Sequence, residues 1–187
     1  MFYRYLAGQF ARPYGPIGRW LIAPWLDRIN GPMSRLALEA LAAPAGERVL
    51  EIGFGGGGVL AALHDAGCKV AGVDVSQEMV ARGQRRLPDA ALYAAPVERL
   101  PFNEAEFDVA VSLNSLYFWP DLRAAFAELA RVVRPGGRLV LGFEPPEELI
   151  KWRGHRYGFR LVSVEEARAL MEAAGFGGIE ERWGTGR

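Results

Sequence analysis

From Val49 to Gly58 the chain reads Val-Leu-Glu-Ile-Gly-Phe-Gly-Gly-Gly-Gly, a short apolar run closed by an acidic residue and followed by glycines. So many glycines before a helix are costly in chain entropy, which points to a loop whose backbone must come close to a ligand. The apolar run reads as a buried parallel strand. The segment after the loop, Gly57 to Ala66, carries Leu60 and Leu63 at helical spacing, so it is a helix whose N-terminus faces that ligand. Further on, Val70-Ala71-Gly72-Val73 ends in Asp74, a carboxylate at the C-terminal end of the next strand, where a ribose diol can donate two hydrogen bonds. Together the two segments describe a nucleoside-containing cofactor lying across the tops of adjacent strands.

The remaining pattern alternates strand and helix, which predicts an α/β fold with a doubly wound, mostly parallel sheet. Strands are expected at Arg48 to Ile52, Lys69 to Val73, Ala91 to Ala94, Phe107 to Leu113, Arg138 to Phe143 and Ile179 to Trp183. Ser76 caps a helix running to about Arg86. Leu122, Ala125, Phe126, Leu129, Val132 and Val133 form one apolar helical face that stops at Pro135-Gly136-Gly137. Ser163-Val164-Glu165-Glu166 is a capping box for a helix through Ala174, with Gly175 as its stop. At 187 residues, half of them hydrophobic, the chain has room for one such domain. Lys plus Arg and Asp plus Glu balance at 22 each, so no nucleic-acid partner is expected. Cys68 is the only cysteine, which excludes an internal disulfide and a cysteine-based zinc site; no metal is expected. The apolar run Trp20 to Leu26 is too short to span a bilayer, and Arg4, Arg12 and Arg19 interrupt any signal-peptide core, so the reading is a cytoplasmic protein.

Gly53, Gly55 and Gly58 also satisfy a dinucleotide fingerprint, with Asp74 at the right distance, so an NAD-type oxidoreductase is a competing reading. Glu51 tips the balance. Glu51-Ile52-Gly53-Phe54-Gly55-Gly56-Gly57 resembles the first motif of the class I S-adenosylmethionine-dependent methyltransferases, an acidic residue, any residue, then Gly-x-Gly-x-Gly. Leu100-Pro101-Phe102 and Arg134-Pro135-Gly136-Gly137 resemble later motifs, most closely those of the ubiquinone and menaquinone biosynthesis type. The resemblance covers roughly residues 46 to 183. It implies S-adenosyl-L-methionine as cofactor, held by Glu51, Gly53, Phe54, Gly55, Gly57, Asp74, Val75, Met79, Val97, Glu98 and Asn114, with Met79 against adenine and Asp74 on the ribose. Pro96 departs from the family, where an aspartate often stands, which leaves the adenine edge to Glu98 or to the backbone near Val97.

The implied reaction is an in-line displacement onto a small-molecule acceptor, lipid-like or quinone-like among the options, in which alignment and exclusion of water do most of the work. Candidate acceptor-side residues are Asn114 and Tyr117, with Ser115, Phe118 and Trp119 on the same rim; His155, in the loop after the fifth strand, is the candidate base. A nucleoside-binding sensor or assembly protein with no transferase activity is the other alternative. Residues 1–45 are aromatic and basic and broken by prolines. They read as a helical lid or substrate segment, as a peripheral membrane contact, or as simple packing on the sheet, while residues 46–187 form the cofactor-binding domain. Few residues follow Trp183, so either the last antiparallel strand of the family is lacking or the sequence is a truncated product. An open sheet edge then makes a homodimer one option.

Overall fold

The computed structural model describes residues 2–184 except 19, 20, 22, 23, 26, 27 and 29; Arg19 and Trp20 of the expected N-terminal aromatic and basic segment therefore lie outside the described residues. In chain order the main elements are α1 (Phe2–Ala11), α2 (Gly31–Leu41), β1 (Arg48–Ile52), α3 (Gly58–Asp65), β2 (Lys69–Asp74), α4 (Gln77–Arg86), β3 (Ala91–Ala94), β4 (Phe107–Leu113), α5 (Leu122–Val132), β5 (Val133–Gly142) and α6 (Val164–Ala173).

The five strands form one sheet in the order β3-β2-β1-β4-β5, and every pairing is parallel. The order reverses between β1 and β4, the place in an open α/β sheet where a crevice opens beyond the strand ends. Register makes those ends level: Ile52 pairs with Val73 on one side and with Ser112 on the other.

Successive residues of a strand point to opposite faces, so β1 feeds two cores. Leu50 and Ile52 join Ala110, Phe126 and Leu129 in one, and Val49 joins Leu60, Val70, Met79 and Val109 in the other. The apolar stripe of α5, with Leu122, Ala125, Phe126, Leu129 and Val132 all buried, closes the first face. Truncating Phe126 to alanine there would cost about 3–5 kcal/mol.

Local chemistry sets the helix starts, at Ser76 and Ser163 as the sequence predicts and at Asp121 in addition. Ser76 accepts the Met79 N–H at 3.4 Å, Asp121 accepts that of Ala124 at 3.1 Å, and Ser163 accepts that of Glu166 at 3.1 Å. The passage from α5 to β5 is tighter than expected. Val133 already pairs with Phe107, and residues 134–137 bulge out before Arg138 meets Val109, with Gly136 at φ +73°.

The sixth strand expected at Ile179 to Trp183 does not form. Among the described residues this stretch is irregular and the sheet ends at β5. Arg168 of α6 donates to the Ile179 carbonyl at 3.4 Å and to Glu181 at 2.6 Å, so this segment is tied to a helix side chain and not to the edge of β5.

Before the sheet, α1 leads into a strap closed on itself by Gln9, whose side chain is fully buried. Its amide nitrogen donates to the Tyr5 hydroxyl at 3.1 Å and to the Tyr14 carbonyl at 3.2 Å, and its oxygen accepts the Tyr14 N–H at 3.1 Å. That set satisfies a polar side chain that would otherwise be costly to bury.

Candidate active site

A cleft of about 2050 Å³ opens beyond the C-terminal ends of the strands, with walls from the glycine loop, the ends of β2, β4 and β5, and the N-terminal strap. The loop takes its shape from left-handed glycines. Gly53 has φ +70° and Gly55 φ +49°, and Gly57, at φ +76°, immediately precedes α3. Gly53 donates its N–H to the Val73 carbonyl at 2.7 Å, which ties the loop to the end of β2. A Cβ at Gly53 would sit 2.6 Å from that of Ser115, whereas a Cβ at Gly55 would meet nothing within 4 Å. The loop is therefore pressed against β4 at one glycine and open to the cleft at the next.

Asp74 lies at the mouth of this loop. One carboxylate oxygen accepts the Gly55 N–H at 2.9 Å and the other accepts the Ser76 N–H at 2.8 Å. Burial raises its pKa, while those two amides and the charge of Arg12 pull it down. Each carboxylate oxygen has a second lone pair for a further donor. Glu51, buried on β1, lines the same cleft, and Val75, 44% exposed, forms its edge.

Other residues expected at the cofactor fall into different places. Val97 is buried and lines the cleft, and Glu98 lines it while accepting the Asp121 N–H at 3.1 Å. The ring of Phe54 turns away from the cleft into the core, against the positions of Gly72 and Gly83, so this residue offers the cleft its backbone only. Met79, expected against adenine, is 0% exposed and packs in the core between the sheet and α4. The segment after Glu98 is fastened from α5: Arg131 donates to the Leu100 and Phe102 carbonyls at 3.2 and 2.8 Å, and Glu128 accepts the Leu100 N–H at 2.9 Å.

The β4 and β5 side of the cleft is polar at its floor. Asn114, at φ +52°, donates its side-chain amide to Asn30 at 3.0 Å and accepts the Tyr117 hydroxyl at 2.9 Å. The same hydroxyl accepts the backbone N–H of Glu144. Burial pushes the Tyr117 phenol far above its ordinary range, so it stays neutral and acts as a donor. Ser115 accepts the indole N–H of Trp119 at 3.1 Å and lies 2.6 Å from the Ser112 hydroxyl, which joins the rim to the sheet.

His155 is not part of this site. Its Nδ1 lies 2.7 Å from the Trp152 carbonyl, in a short helical turn that meets α1, and it is absent from the cleft walls. Trp152 and Phe159, on either side of it in the chain, line the cleft, whereas His155 does not. Glu144, two residues beyond the end of β5, escaped the sequence reading although the strand-end rule that singles out Asp74 applies to it equally.

The strap crosses the cleft from the other side. Ser76 Oγ donates to the Pro13 carbonyl at 2.6 Å, and the Gly15 N–H donates to Glu78 at 2.8 Å. Phe10, Arg12 and Pro13 thereby become cleft wall, and the Phe10 ring stacks on Trp25 with centroids 5.5 Å apart. Among the described residues no group of three potential metal ligands occurs, and no helix is long and apolar enough to cross a membrane.

A parallel sheet with this strand order, an open glycine loop after β1 and a carboxylate at the end of β2 define a Rossmann-like class I methyltransferase domain. Residues 50–141 match the family described as a methyltransferase domain. Demethylmenaquinone methyltransferase of Beutenbergia cavernae is 45% identical over 108 residues, which make up 57% of this chain and 45% of that protein. The chain spans about half the length of the curated relatives it matches. Among solved structures, a complex between the Haloferax volcanii Trm112 methyltransferase activator and a methyltransferase aligns with a TM-score of 0.77 at 23% identity, over 92% of this chain and 75% of that one. Haemonchus contortus phosphoethanolamine N-methyltransferase 2, in complex with S-adenosyl-L-methionine, aligns with a TM-score of 0.68 at 22% identity, over 82% of this chain and 41% of that one.

Proposed function

We propose that this chain transfers the methyl group of S-adenosyl-L-methionine to a small-molecule acceptor. The observation that carries the reading is the pairing of Gly55 with Asp74. A backbone with no side chain faces open space, and a buried carboxylate with lone pairs to spare stands beside it, as a nucleoside with a ribose diol requires. In this reading Gly53, Gly55 and Gly57 let the cofactor lie against the backbone, Asp74 takes the ribose hydroxyls, and Val75, Val97 and Glu98 border the base. The cofactor supplies a methyl already activated by a positive sulfur. What this chain must do is align and enclose. Asn114 and Tyr117 form a fixed polar floor on the acceptor side, and residues 1–45 act as a lid that excludes water.

The test is a melting experiment on the purified protein with S-adenosylhomocysteine, S-adenosylmethionine or NAD. A ligand at a hundred times its Kd stabilises by about 2.7 kcal/mol. Stabilisation by the two S-adenosyl compounds and not by NAD is the expected result; the reverse supports the oxidoreductase reading. Appearance of S-adenosylhomocysteine when an extract of small molecules is added then separates a transferase from a protein that only binds the nucleoside.

A further inference from the structure

We propose that the acceptor half of the cleft is built for an organic cation, an alkylammonium group held between the Glu144 carboxylate and a wall of aromatic rings. The inference rests on the methyltransferase reading and narrows it to acceptors that carry an amine.

Glu144 is fixed through its main chain. Its N–H donates to Tyr117, whose hydroxyl is in turn bonded to Asn114 at the end of β4. The residue lines the cleft and is half-buried, and its side chain has no hydrogen bond or ion pair among the described residues. Among the described residues, three of the arginines that line the cleft are paired with other carboxylates: Arg138 with Glu47 at 2.7 Å, Arg168 with Glu181 at 2.6 Å and Arg182 with Glu180 at 3.6 Å. Arg12, the fourth, acts on Asp74. The nearby Tyr117 phenol stays protonated, first because it is buried and also because Glu144 is negative. It brings no positive charge.

The rings run from the strap to this carboxylate. Phe10 lies 5.1 Å from Trp152, Trp152 lies 5.2 Å from Phe159, and Phe159 lies 5.6 Å from Tyr117, centroid to centroid, and all four residues line the cleft. The faces of such rings attract cations. A ligand that fills this half of the cleft strips water from Glu144. A neutral ligand would leave that charge without compensation, whereas an ammonium group supplies it and rests its alkyl part on the rings.

The experiment uses the whole protein saturated with S-adenosylhomocysteine, titrated with choline and with its neutral isostere 3,3-dimethyl-1-butanol, and read by tryptophan fluorescence and calorimetry. Failure of S-adenosylhomocysteine itself to bind would sink the parent reading, and it is measured first. With that site filled, choline is expected to bind at least about tenfold more tightly than the alcohol. Glu144→Gln, which keeps the main-chain bond to Tyr117, should remove the preference and leave S-adenosylhomocysteine affinity and the melting temperature unchanged. Trp152→Leu should weaken choline binding as well. Equal binding of the two probes, binding of neither, or a preference that survives Glu144→Gln overturns the proposal; equal binding is also what a site for a neutral, quinone-like acceptor would give.

Discussion

Gly55 donates its backbone N–H to the carboxylate of Asp74 at 2.9 Å, so the loop after β1 and the end of β2 are held as one unit. The second carboxylate oxygen holds Ser76 at the start of α4. A single acidic side chain thus fixes three pieces of backbone around the place where a ribose would lie. Replacing Asp74 by alanine should weaken S-adenosylhomocysteine binding by about 1.5–3 kcal/mol, as expected for the loss of hydrogen bonds to a charged group. Calorimetry with unchanged affinity would remove Asp74 from the cofactor site.

The same residue makes binding sensitive to pH. Burial raises the Asp74 pKa above its ordinary 3.8, against the two amides and Arg12. Between 3.8 and the raised value the folded chain holds more protons than the unfolded one. Its contribution to stability is therefore greatest below 3.8 and is lost as pH rises through the raised value. Cofactor hydroxyls donate best to the ionised form, so affinity for S-adenosylhomocysteine should fall as pH is lowered through that value. Titrations at stepped pH should show this slope in the native protein and a flat profile in Asp74→Asn.

Two neighbouring glycines should respond differently to a side chain. Gly55→Val adds bulk where the cleft is open, so the protein should fold with a strain of about 1–2 kcal/mol from the left-handed backbone and lose cofactor binding. Gly53→Val drives a Cβ to within 2.6 Å of Ser115, so its main effect should be on folding. Urea unfolding and cofactor titration of both variants separate the two roles. Normal binding by Gly55→Val would mean that the cofactor does not cross this loop.

On the far side of the sheet, Arg131 ties α5 to the segment that follows Glu98. It donates to the carbonyls of Leu100 and Phe102 and to the carboxylate of Glu128 at 2.7 Å. Arg131→Met should cost about 1.5–3 kcal/mol in urea unfolding, because it leaves those acceptors unpaired. The hydrogen bond from Arg131 is the main reason the Glu128 pKa lies below its ordinary 4.5. Stability from that pair is present above 4.5 and is lost as pH falls through the depressed value, and the variant should lack this acid-side loss.

The strap offers a mechanical test. Glu78→Ala removes the acceptor for the Gly15 N–H, one of two hydrogen bonds that hold residues 13–15 against α4. Hydrogen exchange at Gly15 should speed up, and the S-adenosylhomocysteine affinity should drop severalfold as Arg12 and Pro13 leave the wall. Faster exchange with unaltered affinity would show that the strap is not a lid.

Features set by backbone chemistry were legible in the sequence. The left-handed glycine loop, the position of Asp74 at the end of β2 and the caps at Ser76 and Ser163 depend on a few neighbouring residues, and the structure has that local geometry as read. Features set by what lies opposite were not. Met79 sits in the first turn of α4, where an apolar residue can face either the cleft or the core, and the packing of α4 on the sheet around Gly83 and Phe54 turns it inward. Ile179 to Trp183 has strand-like residues, but a strand exists only where a ladder receives it. His155 was placed by loop membership alone, and the course of that loop depends on its contact with α1. Glu144 follows the end of β5, where the strand-end rule could have singled it out, but its bond to Tyr117 and its place in the cleft depend on the fold.

The close approach of Ser115 to Gly53 means that the turns leaving β1 and β4 cannot drift independently over evolutionary time. The hydroxyl of Ser115 also accepts the Trp119 indole and lies within hydrogen-bond distance of Ser112, so its size is bounded from both sides. A lineage that enlarges residue 115 must first move the glycine loop, and one that gives residue 53 a side chain must first shrink residue 115. In the proposed reading, the cofactor half and the acceptor half of the cleft meet at this one contact. Side chains along the strap and beyond β5 carry no such constraint from this junction, whereas residues 53 and 115 hold each other to one geometry.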